Sequence, residues 1–350
     1  MQSGGSPKLR GEEEKMEKIK LAMIGCGGMG GTHMRRFETL QDRVILTAAV
    51  DLVKEKAEAV ALQFPGAKVA TDYREVLADV DAVLLALPHH LHYSIARTCL
   101  EAGKHVLLEK PMANYEVACQ ELIKVADASK KVLMIAYCMR FHPLVVRLKE
   151  LLDQKVYGDV FQVSIWTEQL TRYPPDHWAS SKEKLGGGQL FSHGCHYIDL
   201  LLWFLGRPMR GMHMGTNFGT PWMAREGTSN VTIEFENGRL GYHFGTWGAR
   251  GTRLRYAIHA HCTEGLLEAD ISSHKLVHIL RGEETVLLES ASGKHTENEM
   301  AHFLDCIATG QTPLTDGCGS LQGLRVIWRL YEAEQEQRMA NLMGLGLDEV

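Results

Sequence analysis

The residues best suited to chemistry in this 350-residue chain fall in three clusters. Lys110 follows the apolar run His105-Val-Leu-Leu-Glu109 and precedes Pro111, so it stands at the carboxyl end of a predicted strand. In a parallel sheet that end faces the ligand crevice, where an ammonium can stabilise an oxygen that gains negative charge. Ser192, His193 and His196 form the second cluster, within Gly186-Gly-Gly-Gln-Leu-Phe-Ser-His-Gly-Cys-His-Tyr-Ile-Asp199. Imidazole is the usual group for proton transfer near neutral pH, and a buried structural histidine is the competing reading. On a helix from about Leu190 to Leu205, Ser192, His196 and Asp199 fall at i, i+4 and i+7 and share a face. The third cluster, Gly25-Cys-Gly27-Gly28-Met29-Gly30, fits G-x-G-x-x-G and offers backbone N–H groups rather than side chains.

These groups need elements to hold them. Leu21 to Ile24 reads as a buried strand running into the glycines, and a helix follows from Gly31 to Phe37. One glycine permits the tight turn, one lets phosphates approach the backbone, and the third lets helix and strand pack closely. A second strand, Val44 to Val50, ends at Asp51, whose carboxylate would accept hydrogen bonds from the ribose hydroxyls of an adenosine. A helix from Lys54 stops at Pro65-Gly66, a short strand spans Lys68 to Ala70, and Asp72 caps a turn leading to the strand Asp81 to Leu87. Strands alternating with helices imply a parallel sheet. Leu87 and Pro88 close that strand, and His92 opens the next helix, so they join Glu109 and Lys110 as predicted cofactor neighbours. The run Pro88-His-His-Leu-His92 invites a metal reading. No Cys, Asp or Glu stands at ligand spacing beside it, so no metal is expected.

Asn114 to Lys130 reads as a helix and Val132 to Tyr137 as a strand, after which Arg140-Phe-His-Pro143 marks the crossover to a second half. Val160 to Trp166 opens a second sheet. Arg140, Trp166 and the loop from Leu170 to Leu185, with Arg172 and Tyr173, are expected to meet substrate. The aromatic and polar mix of that loop suits a sugar ring; a plain surface loop explains it nearly as well. The remainder is β-rich, with a hairpin turn at Asn237-Gly238, until helices from about His295 to Ala308 and Ser320 to Met339. The expected layout is a disordered leader over 1–18, a dinucleotide-binding domain over 19–140, a substrate-binding and oligomerisation domain over 141–318, and a closing helix over 319–340 packed on the first domain. A net charge of -5 with both signs scattered excludes a nucleic-acid partner, and no apolar run approaches the ~18 residues of a membrane span. The eight cysteines include no C-x-x-C pair, which fits reduced thiols in a cytoplasmic protein.

Gly25 to Gly30, Ala102-Gly103-Lys-His-Val-Leu-Leu-Glu-Lys-Pro111 and the Gly186 to Asp199 stretch together resemble the Gfo/Idh/MocA family of nicotinamide-dependent sugar and cyclitol oxidoreductases, over about Ile19 to Tyr331. The resemblance implies an α/β protein: a Rossmann domain with a doubly wound parallel sheet, then an α/β domain with a large, open, mostly antiparallel sheet often used for oligomerisation, hence a homodimer or homotetramer. It implies hydride transfer between nicotinamide and a secondary hydroxyl of a carbohydrate or cyclitol, with His196 transferring the proton and Lys110 beside it. NAD is expected over NADP, because the Asp51 carboxylate repels a 2′-phosphate. Dehydrogenases of the family usually carry aspartate four residues before this histidine. Ser192 stands there here, so His193 is expected to take over part of the proton relay. A related branch hydrolyses glycosides through a redox cycle with resident NAD, and its T-H-G element resembles Ser192-His193-Gly194. That activity is the alternative, although the branch lacks a counterpart of His196.

Overall fold

Uninterrupted runs of Val, Leu, Ile and Ala build the first sheet, because a parallel sheet is covered on both faces and has no polar side to alternate with. The computed structural model describes residues 17–291 and 293–347, so the predicted leader lies outside the described residues apart from Glu17 and Lys18. In chain order the first half comprises β1 (Ile19–Ile24), α1 (Gly28–Phe37), β2 (Val44–Val50), α2 (Lys54–Ala61), β3 (Lys68–Ala70), β4 (Ala82–Leu85), α3 (His89–Glu101), β5 (His105–Glu109), α4 (Glu116–Ser129) and β6 (Leu133–Ala136). The six strands are parallel in the order β3-β2-β1-β4-β5-β6. The chain reverses direction across the sheet between β1 and β4, which opens a crevice at the carboxyl ends of the strands. The capped turn after Asp72 is a 3-10 helix from Tyr73 to Asp79, and the Asp72 side chain accepts the Arg74 N–H.

The second half comprises α5 (Pro143–Asp153), β7 (Val160–Glu168), α6 (Lys182–Leu185), α7 (Cys195–Leu205), β8 (Pro208–Thr216), β9 (Thr228–Phe235), β10 (Leu240–Thr246), β11 (Tyr256–Cys262), β12 (Gly265–Asp270), β13 (Lys275–Leu280), β14 (Glu283–Glu289), α8 (Thr296–Thr309), α9 (Gly317–Gln335) and β15 (Ala340–Asn341). Its nine strands run in the order β14-β13-β12-β11-β7-β10-β9-β8-β15, antiparallel except where β7 meets β10. Asn237 and Gly238 both have positive φ, as the two-residue turn between β9 and β10 requires.

One apolar core runs from the α3 and α4 face of the first sheet through α9 and α7 to the inner face of the second, where Val163, Ile165, Val231 and Leu267 are fully buried. On the other face of the first sheet, Met300, Phe303 and Leu304 of α8 pack with Met34 and Phe37 of α1. The closing helix α9 is not confined to the Rossmann half: it packs against α4 on one side and against α7 and β8 on the other. No helix among the described residues is long and apolar enough to cross a membrane.

Candidate active site

The glycine loop is shaped by close approaches that exclude a side chain. Gly25 has φ +94, and a Cβ there would lie 2.3 Å from the Ala86 carbonyl oxygen; a Cβ on Gly30 would lie 2.3 Å from the Gly25 oxygen. Gly27 and Gly28 differ, since a Cβ on either would meet nothing within 4 Å. That open space lies above the amino end of α1, whose first N–H groups lack intrahelical acceptors, and it is the room a pyrophosphate needs against the backbone. Met29 belongs to the same first turn. Asp51 follows β2 and faces the loop: its Oδ2 accepts the Cys26 N–H at 2.9 Å and its Oδ1 accepts the Val53 N–H at 2.9 Å. Leu87 stands beside Gly25, 3.1 Å from the site of its missing Cβ, and Pro88 is the N-cap of α3. These residues fit a dinucleotide.

Lys110 extends from the end of β5 across the crevice, and its Nζ donates to the Ser192 carbonyl oxygen at 2.9 Å. Two of its three N–H groups stay available. Glu109 beside it is buried; Oε1 meets His33 Nε2 at 2.9 Å and Oε2 accepts the Lys110 N–H at 3.3 Å. Burial pushes the Glu109 carboxyl up, but His33, Lys110 and Lys294 together outweigh it and hold it below the usual range.

The stretch predicted as one helix from Leu190 opens as a π-helical turn over Leu190–Gly194 before α7 begins. Such turns take in about one extra residue and recur at functional sites. His196 is 7% exposed and its ring packs edge-on against Tyr137 at 5.6 Å; the His193 ring lies 6.2 Å from it, between Tyr197 and Tyr256. Nδ1 of both imidazoles is buried without a hydrogen-bond partner. Burial first, and the Lys110 charge second, hold both rings well below the ordinary imidazole range. The crevice therefore presents the Lys110 ammonium beside two neutral imidazoles.

Other predicted residues are placed differently. Arg140 is 5% exposed and forms a two-point ion pair with Asp199, Nε to Oδ2 at 2.7 Å and Nη2 to Oδ1 at 2.8 Å, so its guanidinium is committed within the protein rather than to substrate. Asp199 is thereby turned to Arg140 and does not extend the Ser192 and His196 face. Trp166 points to the outer face of the second sheet, its ring 4.7 Å from His259, because alternate residues of β7 face opposite ways and Ile165 faces α7. His92 is fully buried, with Nδ1 2.8 Å from the Pro111 oxygen and Nε2 2.9 Å from the Leu87 oxygen; it ties the ends of β4 and β5 together behind the crevice. His89 meets the Leu185 oxygen, so two of the three histidines of the run are engaged with backbone carbonyls, and His90 is exposed. Among the described residues no group of three or more His, Cys, Asp or Glu is placed to hold a metal ion. The Gly186-Gly-Gly188 strap serves packing: added Cβ atoms would strike Asn114, Phe191 and Glu226.

Arg172 is exposed and lies over the Trp222 ring at 4.7 Å, while Tyr173 stacks on His177 in a small aromatic cluster with Trp178 and Trp247. Trp178 reaches the first half through His89, ring to ring at 4.7 Å, and so walls one side of the crevice. His33, Tyr137, Lys294 and Glu299 were not anticipated. Only His33 leaves a sequence signal: three residues past Gly30, it faces the end of β5 one helical turn further on. A separate cavity of about 550 Å³, lined by His105, Asp127, Lys131 and Cys318 among others, opens at the amino ends of β5 and β6, away from the crevice.

Residues 19–137 match the family described as an oxidoreductase family with an NAD-binding Rossmann fold (GFO_IDH_MocA), and residues 145–268 match the GFO/IDH/MocA C-terminal domain. Inositol 2-dehydrogenase 2 of Saccharopolyspora erythraea is 29% identical over 227 residues, 63% of this chain and 65% of that protein, so the chain spans just under two thirds of this relative. D-xylose 1-dehydrogenase [NADP(+)] of Haloarcula marismortui is 24% identical over 93% of each chain. Among solved structures, levoglucosan dehydrogenase in complex with NADH superposes with a TM-score of 0.84 at 19% identity, covering 93% of this chain and 99% of that one, a likeness of fold.

Proposed function

The chain belongs to the Gfo/Idh/MocA family of oxidoreductases, and from that footing we propose that it transfers hydride between NAD and a secondary hydroxyl of a sugar, sugar derivative or cyclitol. The observation that carries the reading is the meeting of Lys110, anchored on the Ser192 carbonyl, with the two neutral imidazoles of His193 and His196 beside an open glycine cradle. Bound NAD would supply the hydride acceptor at its nicotinamide. Gly25, Gly27, Gly28, Met29 and Gly30 would hold its pyrophosphate, Asp51 its ribose, and Leu87, Pro88 and Glu109 would border it. His196 accepts the hydroxyl proton, which a neutral imidazole can do at neutral pH, and His193 passes it on. Lys110 directs an N–H at the hydroxyl oxygen and stabilises the developing alkoxide. Ser192 sets the aim of that ammonium through its carbonyl, and Arg172 and Tyr173 border the substrate. NAD is favoured over NADP because Asp51 faces the loop while the Lys54 ammonium is paired with Glu58 at 3.1 Å. The names of the inositol and xylose relatives support a polyhydroxylated substrate. We further propose a homodimer or homotetramer joined through the outer face of the second sheet.

The test is absorbance at 340 nm with purified protein, NAD and a panel of free sugars, cyclitols and aryl glycosides. NADH should accumulate on at least one free polyol, and Lys110→Met should lower kcat by about 100-fold or more. Aglycone release with no NADH accumulation would instead indicate the redox-cycle hydrolase, and unchanged turnover in Lys110→Met would remove the catalytic assignment.

A further inference from the structure

Beyond the predicted glycine loop, the crevice holds a second lysine supplied by the segment that leads into α8. Lys294 Nζ lies 3.5 Å from Met29 Sδ, in the first turn of α1. A thioether is a weak acceptor and cannot balance an ammonium. No carboxylate of the described residues lies within ion-pair distance of Lys294, although two stand nearby. Glu109 is occupied by His33 and by the Lys110 N–H. Glu299 is fully buried on α8 with both carboxylate oxygens unpartnered. Burial first, and then the neighbouring Glu109, push its acid well above the carboxylate range, and neither of its oxygens bonds the Lys294 ammonium. The charge of Lys294 also contributes, after burial, to holding His193 and His196 below the ordinary imidazole range. Met29 directly follows Gly27 and Gly28, whose Cβ positions are open.

We propose that Lys294 binds the pyrophosphate of the dinucleotide, closing over the glycine loop from the α8 side as a point charge opposite the backbone N–H groups of α1. The inference rests on the dinucleotide reading of the glycine loop. It assigns cofactor affinity to a residue far from every cofactor motif in the sequence, on a segment that follows the second sheet. The side chain is exposed, so its replacement leaves the core untouched.

The experiment compares wild type, Lys294→Met and Lys294→Arg by fluorescence titration with NADH and by calorimetry with ADP-ribose, which keeps the pyrophosphate and lacks nicotinamide, each at low and moderate salt. Lys294→Met should weaken both ligands by a similar factor, about tenfold at low salt, with a shallower salt dependence, and Lys294→Arg should restore most of the affinity. Unchanged affinity for both ligands would overturn the proposal. So would a loss confined to NADH, which would place the ammonium at the nicotinamide, or a rise confined to the sugar KM. Wild-type protein that binds neither ligand would instead overturn the dinucleotide reading, and the proposal with it.

Discussion

His193 and His196 show how far a single residue's surroundings decide its use. Each ring is held well below the ordinary imidazole range, by burial first and by Lys110 second. A base with a lowered pKa remains neutral to lower pH, so the acid limb of kcat/KM for substrate oxidation should lie below about 6.5. Ser192→Asp would place a carboxylate beside these rings and favour the imidazolium, moving that limb up by about one pH unit. A limb that starts above 6.5 in wild type, or fails to rise in Ser192→Asp, would contradict the assignment. The same shifts act on folding: stability from the two rings is present above the unfolded imidazole value and is lost as pH falls below it, because the unfolded chain then binds the extra protons. Position 192 thus acts in two ways: its backbone carbonyl anchors Lys110 whatever the side chain, and its serine side chain adds no carboxylate beside the imidazoles.

At the scale of elements, the parts that were legible are those whose own residues decide their form. Leu84, Leu85, Leu107 and Leu108 are fully buried in strands with no polar alternation, and at Gly25 and Gly30 of the glycine loop a neighbouring carbonyl leaves no room for a Cβ. What stayed hidden depends on partners distant in sequence. Strand β8 reads Pro-Met-Arg-Gly-Met-His-Met-Gly-Thr, with little intrinsic strand preference, and forms because β9 and β15 pair with it on either side. The triple glycine is required because Glu226 and Phe191 come within 2.3 Å of where its side chains would start, contacts that the sequence does not show. Arg140 looked available for the same reason, since Asp199 meets it from α7. That ion pair fixes the 3-10 turn after β6 against α7, so Asp199→Asn, which strands a buried guanidinium, should cost about 3 kcal/mol or more. The readout is the urea midpoint; an unshifted midpoint would mean that the Leu314 carbonyl and the Trp203 ring suffice for Arg140.

The two halves of the molecule differ in what covers them. Both faces of the first sheet carry helices, whereas among the described residues helices pack on only the inner face of the second. On the outer face stand Trp166, Tyr242, Phe244 and Leu240 of β7 and β10, and Met212 and Met214 of β8, with Asn230, Thr232 and Glu234 of β9 between the two groups. Met214 is 62% exposed and Leu240 44%. Large apolar side chains left uncovered on a broad sheet are uncommon on a monomer, and in the proposed oligomer a second copy of the same face would cover them by two-fold symmetry with no further element. In that oligomer Trp166 would have a use that a substrate role did not give it. Light scattering should return two or four times the 39.1 kDa chain mass for wild type, and Trp166→Glu combined with Phe244→Glu should return a monomer. Because these side chains lie on the opposite face of the sheet from α7 and its His196, the monomer should keep its NADH affinity. A wild-type mass of one chain, or a double variant that still assembles, would place the contact elsewhere, while loss of NADH binding on dissociation would mean that the crevice is completed by the neighbouring copy.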